Sequence, residues 1–212
     1  MGPGSWLAAA GDLLLGARCP GCERPWWGLC PECAHTVAER LSYLTRPDPC
    51  PAGFPVTATA SAYDATMKRL ISAHKEHQVL SLTPFLAERL AVALSCLFAS
   101  RADVVRSASS VVLVPVPSSK AAVRERGFDA TWAMSRRAVL MSRTAAFATH
   151  PRRLSGQRLL TLSRHVKDQA GLGAAARKAN LTGGFRVVGS GVAPNAVVVI
   201  VDDVVTTGSS LT

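Results

Sequence analysis

The sequence predicts an α/β fold: a parallel sheet flanked by helices, with a small cysteine-rich module at the N-terminal end. Three observations lead there. Two β-branched runs, Val111-Val112-Leu113-Val114 and Ala196-Val197-Val198-Val199-Ile200-Val201, each pass straight into a polar loop. Such runs read as strands buried on both faces of a parallel sheet. Helical patterns occupy the chain before and between them. Finally, Cys19-Pro20-Gly21-Cys22 is followed, after seven intervening residues, by Cys30-Pro31-Glu32-Cys33.

Bulk properties bound the rest. A chain of 212 residues fits one medium domain and a small appendage. At 48% hydrophobic it can bury a sizeable core. The net charge of +10 suits polyanions such as nucleotides or nucleic acid. Aromatics reach only 6% and form no aromatic-basic strip, which argues against a stacking platform for single strands. Met1 to Leu15 is apolar, yet it holds Asp12 and lacks a basic start, so it reads poorly as a signal peptide. No apolar run by eye reaches the ~18–20 residues of a membrane span. The expectation is a cytosolic (cytoplasmic) protein with no membrane partner. Its cysteines are then expected in a metal site or the core rather than in disulfides.

Taken in order, Trp6 to Leu15 reads as a short helix. The two Cys-x-x-Cys knuckles bring Cys19, Cys22, Cys30 and Cys33 within reach of one tetrahedral zinc ion. Four cysteine ligands leave no open position, so the site is expected to be structural and to stabilise a segment too small for its own core. Cys50 is left over, and Cys96 falls in an apolar helix and reads as core. Trp26 and Trp27 read as packing residues. Residues 1–45 form this module. Pro47, Pro49, Pro51 and Pro55 mark 46–58 as a linker, and 59–212 is the main domain.

Tyr63 to Lys75 opens that domain, with Met67, Leu70 and Ile71 on a helical face and Lys68, Arg69, His74 and Lys75 forming a basic edge. Thr83-Pro84 reads as N-cap and first turn of a helix to about Ala99, with Leu86, Leu90, Leu94 and Leu97 as its core stripe. After the strand at 111–114 comes Pro115-Val116-Pro117-Ser118-Ser119-Lys120. Two serines and a lysine after a parallel strand can hold an anion, and Arg124 and Arg126 lie close by in sequence. A helix is expected from about Asp129 to Phe147. Leu159 to Leu162 and Phe185 to Val188 read as strands around a charged, small-residue loop.

The last stretch carries most of the chemistry. Asp202 and Asp203 follow the strand at 196–201, where functional loops of parallel sheets lie. Thr206, Thr207, Gly208, Ser209 and Ser210 then offer backbone N–H groups and hydroxyls in a tight turn, a nest suited to a phosphate. Two acids beside such a turn suit a sugar phosphate, the carboxylates accepting from ribose hydroxyls.

This stretch resembles the phosphoribosyl pyrophosphate (PRPP) signature of type I phosphoribosyltransferases. The order of features narrows the likeness: paired knuckles; Tyr63, Arg69, Leu70, Ile71 and Lys75; Val114 to Pro117; Arg126 to Asp129; and then the signature. From about residue 15 to the end the chain resembles the ComF family, also called GntX-like or amidophosphoribosyltransferase-like. That family commonly has Asn where Asp129 stands here. The resemblance implies a type I phosphoribosyltransferase-like sheet and a transferase (a glycosyltransferase moving a pentosyl group). It would transfer phosphoribose from PRPP to an unidentified nitrogen acceptor with Mg²⁺ and release pyrophosphate. Ser118, Ser119 and Lys120 would hold the pyrophosphate, Asp202 and Asp203 the ribose hydroxyls, and Thr206 to Ser210 the 5′-phosphate. Asp202, Asp203, Lys120 and Arg177 would be the catalytic residues. Asp168, Gln169, Arg177 and Asn180 match a family pattern on a loop that closes over the centre. Hypoxanthine-guanine enzymes of similar fold carry Asp where Thr206 stands, which argues against purine salvage of that kind. Similar folds continue beyond the signature with a helix and a strand, so the C-terminal end at Thr212 reads as short. A second reading is a non-catalytic accessory protein of DNA uptake (competence) that binds PRPP, a nucleotide, single-stranded DNA or a DNA-processing protein. A third is a remnant in which only the zinc module is stably folded.

Overall fold

The computed structural model describes residues 17–142, 153–163, 184–189, 191–206, 208 and 211. The expected helix at Trp6 to Leu15, the end of the helix expected to reach Phe147, and the loop with Asp168, Gln169, Arg177 and Asn180 lie outside them. So do Thr207, Ser209 and Ser210.

The cysteine module runs into helix α1 (Pro31–Ala38), which starts directly after Cys30 because Pro31 suits the first helical position. Strands β1 (Tyr43–Thr45) and β2 (Thr57–Thr59) pair antiparallel, so the proline-rich stretch is the connection between two hydrogen-bonded strands. Helix α2 (Ala65–Lys75) is capped by Asp64, whose carboxylate accepts from the Met67 N–H at 2.9 Å. A single 3₁₀ turn, Leu80–Leu82, leads into α3 (Thr83–Ser100).

Thr83 is the cap that the sequence suggests for α3, but the helix begins one residue earlier, with Leu82 at the N-cap. The Thr83 hydroxyl instead meets His74 Nε2 at 2.9 Å, which satisfies a buried imidazole. By length and mean hydropathy (1.5), the stretch Leu80–Ser100 is apolar enough to cross a membrane, a feature not seen by eye in the sequence. Here it is the central core helix, burying Leu86, Ala87, Ala91, Leu94 and Phe98 against the later helix Ala130–Met141 and against β1 and β2. Cys96 on this helix is half-buried.

After α4 (Ala102–Ser107), strand β3 (Val111–Pro115) is buried along its whole length. Helix α5 (Lys120–Arg126) ends at Gly127, which adopts φ +73°. Helix α6 (Ala130–Met141) is capped by Asp129. Strands β4 (Leu154–Gly156) and β7 (Val197–Val201) flank β3 on either side, both parallel to it, giving the order β4-β3-β7. Between them in sequence, β5 (Leu160–Leu162) and β6 (Phe185–Val187) form a separate antiparallel pair.

The chain is thus mixed α/β with a parallel sheet. Leu94 and Phe98 of α3 and Val139 of α6 pack on Val111, Leu113, Val199 and Val201 of the sheet. A second cluster joins the module to the main domain, because Val37 of α1 packs with Met67, Leu70, Leu82, Leu86 and Met134. One expectation about β7 is corrected. The unbroken apolar run reads as buried on both faces, yet Val198 is 43% and Ile200 38% exposed. Among the described residues β7 has a paired neighbour only on the β3 side, and α3 and α6 cover the opposite face of the sheet.

Candidate functional site

The four knuckle cysteines converge. Their sulfurs all lie within 4.8 Å of one another, with Cys22 and Cys30 Sγ 3.7 Å apart. A tetrahedral ion with Zn–S bonds of about 2.3 Å requires sulfurs about 3.8 Å apart, so the spacing fits a zinc-type centre. Local geometry explains the convergence. The first knuckle turns tightly, with Glu23 N–H donating to Cys19 O at 2.7 Å and Glu23 itself at φ +62°. Cys30 is the N-cap of α1 and Cys33 sits in its first turn. Gly21 lies so close that an added Cβ would stand 2.7 Å from Cys33 Sγ. Arg24 donates to Cys22 Sγ at 3.3 Å and holds that thiol down at about 6, favouring the thiolate a metal needs. Burial pushes the Cys30 and Cys33 thiols up. Cys50 is exposed and outside the cluster. Trp27 is 62% exposed rather than packed. The module is also tied from below, as Arg69 of α2 donates to Gly21 O at 2.7 Å.

A second site lies at the carboxyl ends of β3 and β7. The parallel register pairs Pro115 with Val201, and the Val116 N–H donates to Val201 O at 2.8 Å. The loop through Ser118 and Ser119 therefore leaves the sheet beside Asp202 and Asp203. The Ser119 Oγ accepts from Ala122 N–H at 3.1 Å and so caps α5, while Lys120 opens that helix and is exposed. Thr206 is exposed and Gly208 buried. Gly208 adopts φ +71°, and a Cβ there would come within 2.6 Å of Phe54 and 3.0 Å of Pro47. The connection between β1 and β2 thus packs directly on the turn after the acids.

The acid pair is met by a cation to which the sequence assigned a basic edge and a place in the family-like order, but no partner. Lys75 Nζ lies 2.6 Å from Asp203 Oδ2, bridging the end of α2 to the end of β7. Burial alone would pull the Lys75 ammonium down, but the Asp203 charge and hydrogen bond outweigh it and hold it raised. Asp202 is pushed up to about 7, first by burial and then by the neighbouring Asp203 charge. Its Oδ1 accepts from the Asp203 N–H at 2.9 Å. Arg126 lies near Lys75 at this end: its side chain is 11% exposed, its Nε stands 4.0 Å from the Glu76 carboxylate, and its NH1 is buried without a hydrogen bond among the described residues. Neighbouring His74 stands edge-on to Phe128 at 5.3 Å, and burial lowers it, so it stays neutral near pH 7.

A cavity of about 190 Å³ opens beside the acids. Met67 and Ile71 of α2, Leu86 and Leu90 of α3, Met134 of α6 and Val201 form its apolar wall. Asp202 and Asp203 line one end, and Tyr43 and Tyr63 also contribute. Arg89 lines it too, although sequence reasoning passed over this residue. It is 5% exposed and donates to the carbonyls of Ala38 (2.9 Å), Arg40 and Ala60 (2.8 Å). The signal was available: a lone arginine beside the core leucine Leu90 is out of place on an apolar helix face unless it has partners.

Compared with models of known protein families and with curated proteins, the sequence matches none.

Proposed function

We propose that this chain is a PRPP-binding phosphoribosyltransferase of the ComF-like kind, with a type I phosphoribosyltransferase-like domain and a structural four-cysteine zinc module. The observation that carries the reading is the side-by-side exit of two loops from neighbouring parallel strands. One is the Ser118-Ser119-Lys120 loop, and the other is the Asp202-Asp203 pair followed by the hydroxyl-rich turn. Such a pairing suits a ligand with a phosphate at each end and a diol between them.

In this reading Asp202 and Asp203 accept from the ribose hydroxyls and orient C1. Ser118, Ser119 and Lys120 hold the pyrophosphate, and the turn at Thr206 to Ser210 holds the 5′-phosphate. Lys75 keeps Asp203 aimed, and Arg126 adds positive potential where the leaving group gathers charge. Arg177 would close over the centre and exclude water. The acid pair and the pyrophosphate loop are oxygen-rich, as Mg²⁺ prefers. Magnesium bound with PRPP would neutralise charge on the departing pyrophosphate.

The test is a thermal-shift titration with PRPP and Mg²⁺ on the wild type and the Asp202→Asn, Asp203→Asn double variant. Ligand at a hundred times its Kd raises stability by about 2.7 kcal/mol, a shift of several degrees. A wild type that PRPP leaves unmoved, or a double variant that responds equally, would refute the reading.

A further inference from the structure

We propose that the cavity beside the acid pair is the acceptor site, and that it takes a small, flat, weakly polar nitrogen heterocycle. The proposal rests on the phosphoribosyltransferase reading for the meaning of "acceptor". The ligand class rests on the cavity alone.

Position comes first. Asp202 and Asp203 line one end of the cavity, and Val204 and Val205 continue its wall. A ring inside it presents a nitrogen to whatever sugar those acids orient. In the transfer, a new N–C1 bond forms as the C1–O bond to pyrophosphate breaks. Pyrophosphate leaves with the bonding pair, and the ring N–H proton is released to water.

Polarity disfavours the common bases: apart from the two acids and the hydroxyls of Tyr43, Thr45 and Tyr63, the wall offers few free hydrogen-bonding groups. The Thr59 hydroxyl donates to Ser61 O at 3.0 Å, and the Ser61 hydroxyl donates to Ala62 O at 3.3 Å. Three of the four terminal N–H groups of Arg89 go to backbone carbonyls. These groups face inward to the protein's own backbone. Arg89 Nε is fully buried without a hydrogen-bond partner among the described residues, so it too presents no donor at the cavity surface. Adenine or guanine would bring several polar edge atoms to an apolar wall, and each unpaired buried one costs about 1–3 kcal/mol. A heterocycle with one or two ring nitrogens and otherwise apolar edges avoids that cost.

Size agrees. A cavity of about 190 Å³ lies below the roughly 300–1,000 Å³ typical of drug-sized ligands, so it suits one ring or two small fused rings. Ammonia would leave most of the apolar wall unused.

The probes are benzimidazole and adenine, read by saturation-transfer NMR and calorimetry on the full chain. Two variants narrow the cavity: Ala58→Trp on β2, and Ala62→Trp at an exposed rim position where folding is not at stake. PRPP with Mg²⁺ is titrated separately by thermal shift. The expected result is benzimidazole binding at least tenfold tighter than adenine. Either variant should weaken it tenfold or more while the PRPP shift persists. Adenine binding as tightly as benzimidazole, benzimidazole binding untouched by both variants, or no benzimidazole binding at all overturns the proposal. A chain that binds benzimidazole in the cavity but ignores PRPP refutes the phosphoribosyl reading and leaves the ligand class standing.

Discussion

Arg89→Met is expected to cost the fold about 2–3 kcal/mol, although the residue belongs to neither the cysteine cluster nor a strand of the parallel sheet. The guanidinium ties three carbonyls, those of Ala38, Arg40 and Ala60, to the middle of α3. It thereby joins the end of the cysteine module and the β2 end to the core helix. Hydrogen bonds of this kind contribute about 1–1.5 kcal/mol each, giving about 3–4 kcal/mol for the three. Against that stands the burial of a cation with no carboxylate ion-pair partner among the described residues, and methionine, of similar length, relieves about 1 kcal/mol of that cost. Burial already pulls the Arg89 guanidinium below its usual range, which marks the same penalty. With urea slopes of about 1–3 kcal/mol per molar, the midpoint should fall by roughly 1–2 M. Arg89→Lys keeps the charge but loses the fork, and should fall nearly as far. A midpoint shift below about 0.3 M for Arg89→Met would refute the claim that these three bonds hold the module to the domain.

Two further outcomes follow from the sites. Zinc should copurify at one equivalent, and Cys22→Ser or Cys33→Ser should lower it, as read by elemental analysis. Chelation should also lower the main melting transition, because Val37 and the Arg69–Gly21 hydrogen bond tie the module to α2. Asp202 should make stability fall as pH rises. Its folded pKa is raised from 3.8 to about 7, so between those values the native state holds more protons than the unfolded chain. Asp202→Asn should remove that slope and be the more stable protein at pH 8; equal pH profiles of urea midpoints for the two proteins would contradict it.

Several elements are legible without coordinates. The cysteine cluster is readable because each Cys-x-x-Cys knuckle is a local geometry, set by the turn at Gly21 and the proline that starts α1. The β3 and β7 cores are readable from unbroken β-branched runs, and the acids at the end of β7 from their position. The exposure of Val198 and Ile200 is not, since a hydrophobic run says that a strand exists but not how many of its faces are covered. Thr83 misleads because a hydroxyl before proline signals a cap, whereas the buried His74 claims it across nine residues.

By itself, then, the sequence determined what is local: the cysteine spacing, strands β3 and β7, helices α2, α3 and α6, and the order of acids, hydroxyls and glycine after β7; it did not mark α1, α4, α5 or the short strands β1, β2 and β4. Tertiary structure alone decided what is long-range. Lys75 meets Asp203 across 128 residues, Arg89 gathers three carbonyls from two separate segments, and Phe54 and Pro47 press on Gly208. The physical reason is that a buried charge must find its partner wherever packing leaves one, and no period or motif in the chain encodes that choice. The cavity beside the acids belongs to the same class, since its walls come from α2, α3, α6 and the β1–β2 pair and exist only once those elements have packed.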